Sequence, residues 1–154
     1  MLQLQQAEPH ISDDQIPSDE IQRAWVAVQR VAPTLYARVE ADLKKAGLPG
    51  LDWYSVLWGL EREGGALRPR DLGKVLFLER YNITRFLDRL EAEGLVERKE
   101  CEEDGRGLVA VLTDAGYAMR LKMWAVYGPA MKEALSPITD EEAVTLAALL
   151  CKLG

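Results

Sequence analysis

The apolar positions fall into helical stripes, with one short alternation between them. The sharpest stripe lies in Glu79–Gly94, ERYNITRFLDRLEAEG, where Ile83, Phe86, Leu87 and Leu90 stand at i, i+3, i+4 and i+7. That spacing predicts a helix docked on a core by one face. At about 100° per residue, Tyr81, Thr84, Arg85 and Asp88 point the other way. Gly94 stops the helix, because glycine enters the left-handed region cheaply.

Upstream, Ser18 is a candidate cap. Ile21, Trp25, Val28, Ala32, Leu35 and Val39 then repeat at alternating spacings of four and three. This heptad-like seam suits packing along another helix, and Pro33 inside it predicts a kink or a split. A second helix is expected over DWYSVLWGLEREGG, capped by Asp52, with Trp53, Val56, Leu57 and Leu60 as its stripe. Ala66-Leu67-Arg68 allows only an edge strand, and Pro69 opens a short helix with Leu72, Val75 and Leu76 inward. Two helices joined by so few residues form a helix-turn-helix candidate. After Gly94, LVERKEC and LVAVLT flank EEDGRG and predict a hairpin with Arg106 near its tip, a wing able to reach a minor groove. Thr113 caps a long helix that Pro129 is expected to bend. The last helix opens with the capping box Thr139-x-x-Glu142 and carries Leu146, Leu149, Leu150 and Leu153. A terminal helix so rich in leucine calls for a cover, and a second subunit supplies one.

Charge changes this picture by its distribution. The 154-residue chain has a net charge of −6, yet residues 68–89 hold six basic and three acidic side chains, a local +3 that leaves −9 on the remainder. Local sign governs contact with a polyanion. Arg and Asn also reach base edges with paired hydrogen bonds. The candidate DNA-binding residues are therefore Arg68, Arg70, Lys74, Arg80, Tyr81, Asn82, Thr84, Arg85, Arg89 and Arg106.

The rings Trp25, Tyr36, Trp53, Tyr54 and Trp58 gather in the first two helices. Core packing accounts for them, and a mostly apolar ligand pocket competes with that reading. Trp53 belongs to the core stripe, which leaves Tyr54 and Trp58 as the better contacts. An anionic ligand there would draw on Arg23, Arg30 or Arg38.

Other chemistry finds little support. The sequence offers no phosphate loop, no metal spacing and no nucleophile–base–acid pattern, and its single histidine, His10, sits in a polar N-terminal stretch. No catalytic residue, metal or cofactor is expected. Cys101 and Cys151 read as small core hydrophobes. MLQLQQAEPHISDDQIP lacks the basic start and apolar run of a secretory signal, and no run of about 18 apolar residues suggests a membrane span. A cytoplasmic protein with no membrane partner is expected.

The stretch LRPRDLGKVLFLERYNITRFLDRLEAEGLVERKECEEDGRGLVAVLTDAG, residues 67–116, resembles the MarR family of winged-helix transcriptional regulators. NITRFLDRLEAEGLVER is similar to the family's recognition helix and strand entry, and DGRG followed by LTDAG to its wing and following cap. Gly105 stands where the family often has a first wing arginine, and Glu79 where its recognition helix often begins with Ser.

The resemblance implies a mainly α fold with a small β-hairpin wing: a winged helix-turn-helix over 51–113, dimerisation helices over 18–46 and 114–154, and a flexible tail over 1–17. It implies a homodimer that binds a pseudo-palindromic operator in double-stranded DNA. It also implies a repressor released by a small aromatic or acyl ligand, an aromatic acid or its thioester. A winged-helix protein–protein adaptor that binds no DNA is the competing reading.

Overall fold

The computed structural model describes residue 12 and residues 16–76, 80–100 and 107–153, without the side chains of Val75, Leu76, Arg80, Tyr81 and Asn82. His10, Cys101, Arg106 and most of the expected tail lie outside the described residues. The elements follow in the order α1 (Asp19–Lys45), α2 (Leu51–Arg62), β1 (Ala66–Leu67), α3 (Pro69–Leu76), α4 (Arg80–Ala92), β2 (Val96–Glu100), β3 (Leu108–Leu112), α5 (Asp114–Ala134) and α6 (Asp140–Leu150). The chain divides into two compact units, Met1–Leu35 and Tyr36–Gly154.

In the first unit, the Ser18 hydroxyl accepts the Ile21 N–H at 3.4 Å, as a cap should. Pro33 does not split α1, which runs through it as one helix. Pro33 and Gln29 are both exposed, so water can take the Gln29 carbonyl that loses its ladder donor. Of the seam, Ile21, Trp25 and Val28 are exposed.

The second unit holds two packed clusters. One gathers Val56, Leu57 and Leu60 of α2, Leu72 of α3, Ile83, Leu87 and Leu90 of α4, Leu95 just before β2, and Val96 and Ala110 of the sheet. The other joins Val39 and Leu43 of α1 to Leu51, Tyr54 and Met123. Val39, the last seam position, is thus core within its own chain. Trp53 packs against both clusters.

The sheet has the order β1-β3-β2, with both pairings antiparallel. Val96 lies opposite Leu112 and Glu100 opposite Leu108, so β2 and β3 form the wing's stem. The β1 edge pairs Ala66 with Val111 and Leu67 with Ala110.

Asp52 does not cap α2. The N-cap is Gly50 and makes no side-chain cap bond. Glu40 of α1 substitutes, its Oε1 accepting the Leu51 N–H at 2.5 Å. Asp52 instead accepts the Tyr36 hydroxyl at 3.0 Å. Partial burial, then the Asp52 carboxylate, pushes the Tyr36 phenol up from its ordinary pKa, so it stays a donor.

At the far end of α4, Gly94 adopts φ +70°. Its N–H and that of Leu95 bond to the carbonyls of Glu91 and Leu90, both at 2.9 Å, closing the helix as the sequence predicts. Thr113 caps α5 by accepting the Gly116 N–H at 3.0 Å, and α5 continues through Pro129. Both bonds of the α6 capping box form. Cys151 is exposed at the end of α6, which corrects its assignment to the core. No described helix is long and apolar enough to cross a membrane.

Candidate nucleic-acid interface and ligand cavity

The orientation of α4 follows from its buried residues. Ile83, Leu87 and Leu90 are each at most 1% exposed. At about 100° per residue, Arg85 is then nearly opposite the core, with Thr84 and Asp88 on one flank and Arg89 on the other. All four are exposed. Arg85 has no ion pair among the described residues and is held only by its helix.

The flanks are braced differently. Arg98 of β2 reaches across to α4: its guanidinium donates to the Thr84 carbonyl at 3.3 Å and to Asp88 at 2.5 Å, and lies 3.5 Å from Glu91. Its backbone N–H donates to Glu91 at 3.1 Å. On the other flank, the Arg89 guanidinium stands 5.9 Å from the centre of the Trp53 ring. Arg89 also lines a cleft with the Gly47–Gly50 loop and Glu93. The sequence reading missed Arg98. Its signal is the i, i+3 pair Asp88 and Glu91 followed by one arginine in the next strand.

On α3, Arg70 and Lys74 are exposed, each 3.6 Å from Asp71. Arg68, just before α3, is half-buried. Arg80, Tyr81 and Asn82 occupy the first turn of α4, but their side chains, like all of Arg106, lie outside the described residues.

A separate cavity of about 440 Å³ opens between α2 and α5, lined by Tyr54, Ser55, Trp58, Arg120, Trp124, Tyr127 and Met131. Tyr54, Trp124 and Tyr127 form a cluster of rings, with centroids 4.9–6.0 Å apart. Such offset and edge-to-face contacts are the preferred geometry of aromatic pairs. Arg120 donates through Nε and a terminal nitrogen to the two Glu61 oxygens, at 2.5 and 2.6 Å. That bond raises the arginine's pKa. Burial raises the Tyr54 phenol, against the opposing pull of Arg120.

Of the five candidate ligand-contacting rings, Tyr54 and Trp58 line this cavity. Trp53 borders the Arg89 cleft instead. Tyr36 is tied to Asp52, and Trp25 is exposed in the first unit. Trp124 and Tyr127 were not foreseen, since periodicity alone does not reveal which face of α5 meets α2.

Residues 46–107 match the MarR family. Over 99 residues the chain is 32% identical to the HTH-type transcriptional regulator PecS of Dickeya dadantii (strain 3937), an alignment covering 63% of this chain and 60% of PecS. The fold is similar to that of AbsC, a MarR family transcriptional regulator from Streptomyces coelicolor, with TM-score 0.80, 27% identity, and coverage of 90% of this chain and 94% of AbsC. Sco3205, a MarR family transcriptional regulator from the same organism solved in complex with DNA, gives TM-score 0.82 and 25% identity, over 90% of this chain and 91% of Sco3205. The chain thus has the winged-helix fold of MarR family transcriptional regulators, and its residues 46–107 match that family.

Proposed function

We propose that this chain is a cytoplasmic, homodimeric transcriptional repressor that binds a pseudo-palindromic operator in double-stranded DNA and is released by a small aromatic ligand. The observation that carries the DNA reading is Arg85, exposed and without an ion pair among the described residues, at the outermost position of a helix braced on both flanks. An arginine so placed suits bidentate contact with a guanine edge. Arg70 and Lys74 on α3 suit phosphate contact, which orients without reading sequence. Sco3205 in complex with DNA supports the same use of the fold here.

In this reading residues 51–113 carry the DNA contacts, and 18–46 with 114–154 pair the subunits. The α2–α5 cavity is the ligand's place. Its occupation weakens operator binding by favouring a dimer whose α4 helices depart from the spacing of about 34–36 Å that one duplex turn requires. That coupling is limited by the ligand's differential affinity for the two arrangements.

The test begins with fragments that the protein retains from a genomic library. Affinity for a retained operator should fall steeply as salt rises, because phosphate contacts release counterions. Arg85→Ala should lose discrimination on the order of 1–3 kcal/mol per half-site, whereas Arg70→Ala and Lys74→Ala should weaken all duplexes alike. An affinity indifferent to salt would favour the adaptor reading. Equal loss on operator and random DNA would make Arg85 a phosphate contact.

A further inference from the structure

The charge class of the ligand is written into the α2–α5 cavity. Its walls are mostly rings and the Met131 thioether. The cation on that lining, Arg120, has a side chain only 11% exposed, and Glu61 grips it by both oxygens. Such a fork-to-fork pair satisfies the guanidinium in geometry as well as charge. Among the lining residues an incoming carboxylate therefore meets no unpaired cation; Arg62 stands outside the lining, exposed, with its guanidinium 5.3 Å from the centre of the Trp58 ring. To reach Arg120 it must dislodge Glu61, a side chain 29% exposed, and then lie beside it as a second anion. An uncharged planar ring needs neither step. It stacks among Tyr54, Trp58 and Trp124, and the Ser55 hydroxyl can serve one polar substituent.

We propose that the cavity selects uncharged planar aromatic molecules over aromatic carboxylates, with Glu61 as the residue that excludes the anion by holding Arg120. This narrows the ligand class first suggested by the family resemblance, which included aromatic acids. It rests on the reading of this cavity as the effector's place.

Matched isosteres test it. Calorimetry on the DNA-free protein at neutral pH compares 2-naphthamide with 2-naphthoate. The amide should bind about tenfold or more tightly than the acid, the scale expected when a like charge must be accommodated. Glu61→Gln frees the charge of Arg120 and should reverse the order. Glu61→Gln combined with Arg120→Gln should restore the preference for the amide. Trp58→Ala should weaken the amide in every background, which locates binding in this cavity.

Equal or tighter binding of 2-naphthoate to the unaltered protein overturns the proposal. So does a ratio that Glu61→Gln leaves unchanged, binding indifferent to Trp58→Ala, or binding of neither compound. If Glu61→Gln does not fold, as circular dichroism will show, the ratio in the unaltered protein decides. Operator affinity is measured separately. An amide that binds with the stated preference yet leaves operator affinity unchanged supports the charge preference and refutes the effector reading alone.

Discussion

At Gly116 one hydrogen atom decides how closely α5 approaches the sheet. A Cβ there would lie 2.1 Å from the Leu95 carbonyl oxygen and 2.7 Å from Leu112 Cδ1. The same carbonyl accepts the Thr113 N–H at 3.2 Å, so it is fixed from both sides. Backbone cannot rotate away as a side chain can, so Gly116→Ala must push the first turn of α5 off β2. We expect a loss on the order of 1–3 kcal/mol, the usual range for overpacking, read as a lower midpoint in thermal unfolding. A midpoint within one degree of the parent would mean that the turn gives way freely. The Thr113 cap was legible in LTDAG because it is local. The role of Gly116 was not, because the atom it must avoid belongs to Leu95. Asp52 failed for the same reason: the carboxylate that serves the start of α2 comes from Glu40 on another helix. Local sequence can nominate a cap but cannot see a competitor that arrives through space.

Among elements, α4 was the most legible, since Ile83, Leu87 and Leu90 fix its buried face and hence its outward one. Its attachment to β2 was not, for that depends on which acids the Arg98 fork reaches. Arg98 is a positioning residue in our reading: it touches Thr84, Asp88 and Glu91 and sets the rotation of the helix that presents Arg85. Arg98→Met should therefore reduce operator affinity while leaving the slope against log salt unchanged, because no phosphate contact is removed. Arg98→Lys should recover only part of the loss, since a point charge cannot reproduce the fork. A shallower salt slope in Arg98→Met would instead assign Arg98 to the phosphate backbone. The exposure of Asp88 and Glu91 keeps the direct stability cost of the lost ion pairs small, so operator affinity is the sensitive readout.

For the whole molecule, α6 poses the energetic problem. Val144 and Leu149 are 71% and 54% exposed, Leu153 just beyond the helix is 77% exposed, and every other residue of α6 is exposed or half-buried. An 11-residue helix is too short to persist in water on propensity and one capping box. Its apolar face must be covered for the helix to last, and the exposed Ile21, Trp25 and Val28 of α1 pose the same demand. Exposed apolar faces of this kind mark association sites. A two-fold pairing is the natural cover, because each copy presents the same unsatisfied faces. We expect sedimentation to give twice the 17.2 kDa of the chain at micromolar concentration. The unfolding midpoint should rise with protein concentration, as mass action requires when only the folded state associates. Leu149→Glu places a charge on the exposed face of α6 without disturbing either core cluster, so it should split the dimer and lower operator affinity together. A single 17.2 kDa species for the parent, with a midpoint indifferent to concentration, would refute the pairing. If Leu149→Glu stays dimeric while Trp25→Glu dissociates, the interface runs along α1, and α6 needs a different cover.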